Sequence, residues 1–341
     1  MTQWHDFLSA QGAVFEASEL QSFGDSRNEL AAANGNIITS LSHLGLLEIS
    51  GEDAVSFLQG QVTNDVKKLD GSNSQYAGYC SPKGRLLALF LAFAHIDHLH
   101  LQMPVSILEP IMKRLKMYVM RSKVVITEKS ADILCFGIAG PNAQSTLTTL
   151  FNKVPQAPQE LITLDDATLL RLAGDTPRYQ IFTHTENAER IWNTLSSNCT
   201  KVGKSVWDYL EIQAGIPEIV PATQEAFVPQ MVNLDSLDGI NFKKGCYTGQ
   251  EIVARTHYLG KVKRRTQLAH INTEEIPQAG DTIQVVGHEE AIGQIVRAAP
   301  APNGGVDALI EIRLENLDST NEFPVWKGKK LEFKALPYAL N

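Results

Sequence analysis

The sequence predicts an α+β protein, with a body of two similar helix-and-sheet units followed by a small antiparallel barrel. Three observations carry this. Helical stripes alternate with strand-like runs through the first 260 residues, and the order of those elements repeats once. After Gly260 no long helical stripe occurs, and short apolar runs lie between Gly, Pro and Asn turns. At 341 residues the chain exceeds one ordinary core. The expected bounds are 1–40 for a loosely structured lead-in with short helices, 41–131 for the first α+β domain, 132–260 for the second and 261–341 for the barrel.

Taken in order, 44–49 reads as a strand, after which Ser50 caps a helix with Asp53 at the capping-box position. Ala54, Val55, Leu58 and Val62 share one face of that helix. Runs 76–80 and 86–95 are joined through Ser81-Pro82-Lys83-Gly84, a hairpin link, and 99–103 extends the sheet. Ile107, Leu108, Ile111, Met112, Leu115, Tyr118 and Val119 form a helical stripe, and 124–127 returns as a strand. The second unit repeats the pattern. Strand 133–138 leads to a helix opened by Gly140-Pro141, then come strands 168–172 and 179–183 and a helix over 188–196. A further helix starts at Ser205 with Asp208 at capping-box spacing. Strands at 267–271, 282–286, 292–297, 308–314 and 330–334 make the barrel or sandwich.

Composition is that of a soluble globular protein, 43% hydrophobic and 20% charged, with net charge −8. That balance disfavours a protein that coats nucleic acid, and no direct nucleic-acid binding is expected. The first twenty residues lack a basic segment followed by an apolar core, and the longest apolar run, 86–94, is far short of a membrane span. A reduced, cytoplasmic protein is expected, with no membrane partner. Cys80, Cys135, Cys199 and Cys246 are scattered, so neither a disulfide framework nor a structural zinc site is expected.

The chemistry concentrates at Lys243-Lys244-Gly245-Cys246-Tyr247-Thr248-Gly249-Gln250-Glu251. Cations and a following helix N-terminus favour thiolate over thiol, and the flanking glycines can present the sulfur at a surface. Cys246 is therefore the candidate functional thiol, as nucleophile, redox centre or cluster ligand; the bland alternative is a small residue in a glycine-rich turn. Glu251 and Arg255 stand one helical turn apart. They read equally as a surface pair worth about 0.3–0.5 kcal/mol or as an Arg free to meet an anion. Lys261, Lys263, Arg264 and Arg265 form a basic cluster, either a solvated linker or an anion patch. Trp207, at helical spacing, is a core residue or a stacking surface for a flat ligand.

Lys244-Gly245-Cys246-Tyr247-Thr248-Gly249-Gln250-Glu251 resembles the signature of the YgfZ family of folate-binding proteins, relatives of the glycine-cleavage T-protein, an aminomethyltransferase. Three further segments resemble that family's motifs: Phe57-Leu58-Gln59-Gly60-Gln61-Val62-Thr63-Asn64-Asp65, Pro82-Lys83-Gly84-Arg85 and Tyr118-Val119-Met120-Arg121-Ser122-Lys123-Val124. The likeness implies a T-protein-like fold and a pocket for tetrahydrofolate. It also implies a part in assembling or repairing iron–sulfur proteins, and through them in tRNA modification. Folate and iron–sulfur client or assembly proteins are the implied partners. Trp207, Gln213 and Leu44 are the implied pterin-site residues, and Arg255 or the 261–265 cluster would meet the glutamate tail. Two departures stand out. Where aminomethyltransferases carry an acidic pair, this chain has Leu87 and Ala88, and Gln213 replaces a glutamate, so charge-assisted bonding is lost there. A folate-dependent one-carbon transferase and a non-catalytic interaction scaffold are the rival readings.

Overall fold

The computed structural model describes all residues except 1, 96–97, 259, 261, 289, 318–322 and 341. The chain divides into two compact units, each drawn from three stretches. One comprises Met1–Ala54, Lys68–Gln75 and Leu91–Leu210; the other comprises Val55–Lys67, Tyr76–Phe90 and Glu211–Asn341. These units are discontinuous, whereas the bounds expected from sequence are contiguous. The strand Leu86–His95 and the helix Lys204–Gln213 each begin in one unit and end in the other.

In the first unit a six-stranded sheet runs in the order Leu161–Thr163, Thr168–Leu172, Arg178–His184, Ile133–Ala139, Ile37–Ser40 and Thr200–Lys201. All its pairings are antiparallel except the last, Thr200–Lys201 with Ile37–Ser40. The helix Thr185–Ser196 lays Ala188, Ile191, Trp192 and Leu195 against it. The first forty residues are not a loose lead-in. Trp4 and Leu8, one turn apart on the helix Thr2–Ser9, enter this core, and Trp4 stacks on Phe136 at 5.0 Å. Every residue of Ile37–Ser40 is buried.

A second antiparallel sheet in this unit pairs Leu44–Ser50 with His98–Pro104 on one side and Val125–Glu128 on the other. The helix Val105–Val119 buries Ile107, Leu108, Ile111 and Leu115, as the stripe predicts, but Tyr118 is exposed. The Ser50–Asp53 capping box does not form. Ser50 ends a strand, and the Asp53 carboxylate instead accepts the Lys123 backbone N–H at 2.8 Å. The helix after Gly140-Pro141 is shorter than expected, Ala143–Thr148, with Asn142 rather than proline at its start.

In the second unit the C-terminal strands close into a six-stranded barrel, ordered Arg264–Ile271, Val306–Arg313, Ala291–Pro300, Thr282–Val285, Pro324–Trp326 and Lys329–Lys334. Its interior is aliphatic, with Ile271, Ile283, Ile295, Ile310 and Ile312 around Trp326. Closure leaves no strand edge open. The basic cluster proves to be part of this scaffold. Arg265 is buried, forks onto Asp235 at 2.5 and 2.9 Å, and also donates to the Gln230 carbonyl; Arg264 pairs with buried Glu311. Neither guanidinium is free to form an anion patch. Lys261 lies outside the described residues.

Candidate functional site

The signature loop is assembled within the second unit from three of the sequence motifs. Thr63 starts the assembly. Its hydroxyl donates to the Gly239 carbonyl at 2.6 Å and accepts from the Gly78 N–H at 2.8 Å. The Asn64 amide donates to the carbonyls of Tyr76 and Asp238, and the Thr63 carbonyl accepts the Asn241 N–H. The 59–65 segment thus fixes the chain just upstream of the cysteine.

Lys244 then turns inward. Its ammonium donates to the carbonyls of Gln59, Val62 and Asn64 at 2.7, 2.6 and 2.8 Å, which uses all three of its donors. It also lies 5.1 Å from the ring centroid of Tyr247, which is buried. Burial pushes this lysine down, to about 8, with the Asp65 carboxylate opposing. The two cations expected to favour the thiolate thus differ in placement. Lys244 is a clamp, and Lys243 alone of the pair is exposed.

The third contact is made without side chains. Gly249 sits at φ +83°, and a Cβ there would fall 2.5 Å from the Ser81 carbonyl oxygen and 2.8 Å from Gly84 Cα. Only glycine lets the signature loop lie against the hairpin turn this closely. The helix Gln250–Tyr258 follows, tied back by the Gln230 amide donating to the Val253 carbonyl at 2.8 Å.

Cys246 projects from this frame. It is the exposed member of the four cysteines; Cys80 is buried, and Cys135 and Cys199 are partly covered. Burial pushes the other three thiols up, to about 12 for Cys80 and about 11 for Cys199. It pushes the Tyr247 hydroxyl up as well, with the Cys80 thiol adding to the effect. His257 is stacked on Phe242 at 3.7 Å between centroids. Glu251 and Arg255 are both exposed and make no ion pair among the described residues.

The residues expected around a pterin are placed differently. Trp207 is 1% exposed, and its ring lies so close under Gly137 that a Cβ there would be 2.5 Å from the indole. Arg178 covers the ring from 5.7 Å. A stacking platform needs an open face, so Trp207 is a core residue of the first unit. Gln213, in the second unit, donates its amide to Asp307 at 2.8 Å, and Asp307 also holds His270 and Lys334 at 2.7 and 2.9 Å. Glu211 faces Arg297 instead, at 3.8 Å. Leu44 is half-buried at the start of its strand in the first unit. Trp207 thus offers no open face to a flat ligand, and the Gln213 amide is already held by Asp307. Leu87 and Ala88 are buried and apolar, with the Leu87 carbonyl accepting from Gln224.

Comparison with known proteins places this architecture. Residues 5–162 match the model of the GCVT N-terminal domain. The tRNA-modifying protein YgfZ of Serratia proteamaculans (strain 568) is 32% identical over 314 residues, which cover 89% of this chain and 92% of that one. This chain belongs to the YgfZ family. The same-named protein of Yersinia pestis (strain Pestoides F) is 34% identical over 247 residues, covering 72% and 74% of the two chains. In fold, the YgfZ-family chain is similar to the glycine cleavage system aminomethyltransferase T from Bartonella henselae. There the TM-score is 0.74 at 16% identity, with 98% and 96% of the two chains covered. No helix among the described residues is long and apolar enough to cross a membrane.

Proposed function

We propose that this YgfZ-family protein supports tRNA modification by way of iron–sulfur enzymes, acting as an accessory protein in the cytoplasm with Cys246 as its working thiol. The observation that carries the reading is the construction around that sulfur. Lys244 and Gly249 fix both sides of the loop, and the cysteine between them is the exposed one of four. A merely structural cysteine has no need of such a frame and is usually buried. The names of the relatives support the tRNA part, while the iron–sulfur part rests on the family resemblance.

Tetrahydrofolate is the proposed cofactor. Arg255, exposed and without an ion-pair partner among the described residues, is the cation offered to a glutamate-tail carboxylate. The pterin contacts are not assigned to Trp207, Gln213 or Leu44. Leu87 and Ala88 hold no carboxylate, so the aminomethyl-transfer alternative lacks an acid at that place.

Two measurements test the proposal. In a strain lacking the protein, wild type should restore iron–sulfur-dependent tRNA modification and Cys246→Ala should not. Titration calorimetry should show tetrahydrofolate binding that weakens in Arg255→Gln. Full activity of Cys246→Ala would end the thiol reading, and absence of any heat with tetrahydrofolate would end the cofactor reading.

A further inference from the structure

Four of the chain's nine histidines line one pocket of about 510 Å3 in the first unit, none of them among the candidate site residues. Strand register brings them together. His98 and His100 alternate with buried Leu99 and Leu101, so both imidazoles share one face of His98–Pro104. His95 pairs across the hairpin with His98, and Glu48 pairs with His100 from the neighbouring strand. His184 ends its own strand beside Ile133 and stands just before the helix Thr185–Ser196, whose first turn adds Glu186. The turn before Ile133–Ala139 adds Lys129 and Asp132, 3.6 Å apart.

The charge of this lining decides what it can hold. Among the described residues of the lining, three carboxylates (Glu48, Asp132, Glu186) stand against one ammonium (Lys129). One oxygen of Glu48 lies 3.2 Å from His98 Nδ1 and 3.6 Å from His100 Nε2. Burial holds His95 below its ordinary range and His100 at about 4, so both rings are neutral at pH 7 and can accept hydrogen bonds. An anion would meet like charge. A single metal ion lacks its cage, because among the described residues no three His, Cys, Asp or Glu groups converge at metal geometry. The acceptors instead sit on three separate walls: the sheet, the turn and the helix start.

We infer that this pocket is a binding site for a small organic polycation, with a linear polyamine as the fitting class. Amines spaced along a chain can reach carboxylates on different walls, and neutral imidazole nitrogens accept hydrogen bonds from ammonium groups. The volume lies within the range of small-molecule sites. The inference is independent of the folate reading and of Cys246.

The test titrates spermidine into the full-length protein while following the imidazole nitrogen resonances. Saturable shifts of pocket histidines are expected at neutral pH. The double variant Asp132→Asn, Glu186→Gln changes two exposed groups and should weaken binding about tenfold or more, with an unchanged melting temperature. The absence of saturable shifts, equal affinity in the double variant, or tighter binding of phosphate or of zinc ion alone would each overturn the proposal.

Discussion

Lys244 carries its charge into the protein under three carbonyl oxygens, whereas His100, deeper still, lies beside a carboxylate and is uncharged at neutral pH. Burial pulls the two down by similar amounts, Lys244 from 10.5 to about 8 and His100 from 6.5 to about 4. The same penalty leaves one group mostly charged at pH 7 and the other neutral, because their intrinsic basicities differ. A buried cation serves as a fastener when its donors all find acceptors, and a buried neutral base serves as an acceptor. The signature loop uses the first arrangement and the histidine pocket the second.

The comparison can be broken most forcefully at the clamp. Lys244→Met removes the cation and strands three buried carbonyls, at a cost of about 4 kcal/mol. Denaturant unfolding should read this loss, and hydrogen exchange should show the 59–64 and 243–249 segments loosening together. A change within error would mean that water replaces the ammonium without penalty. The histidine side is sharpened by pH. His100 has a folded value below its unfolded one, so the unfolded chain binds the extra proton first, and stability falls as pH drops from about 6.5 towards 4. The full loss is about 3 kcal/mol, and His100→Phe, stacked on Phe93 in its place, should flatten that slope. An acid limb of equal slope in the variant would refute the assignment.

Gly249→Ala sets a Cβ against the Ser81 carbonyl at a positive φ, and a loss of about 2 kcal/mol in unfolding free energy is expected. Smallest is Cys246→Ser, with a stability change under about 0.5 kcal/mol. Its effect shows in mass spectrometry after brief alkylation of native protein: wild type should take one label and the variant none. Equal labelling of Cys199 would remove the distinction drawn among the cysteines.

Much of the frame around Cys246 was legible because its parts are short, contiguous motifs: Phe57 to Asp65, the Pro82 turn and the signature itself. Their contacts were not legible, since nothing in a sequence says that Lys244 turns inward or that Gly249 meets Gly84. The C-terminal strands were read from their turns, but Arg264 and Arg265 were misread because their carboxylates, Glu311 and Asp235, are remote in sequence. Trp207 was ambiguous because Gly137, which lies against its ring, is remote in sequence. The histidine pocket was missed altogether, although His98-Leu99-His100 already carried a period-two signal for one polar face.

The division of the chain bears on its synthesis. Val55–Lys67 and Tyr76–Phe90 leave the ribosome early, yet the unit they belong to is completed by Glu211–Asn341, made last. Apolar segments such as Tyr76–Phe90 must therefore wait for their contacts with that last stretch, such as the Leu86 N–H to the Phe227 carbonyl, while the intervening chain is translated. For the same reason no single backbone cut can release either unit whole.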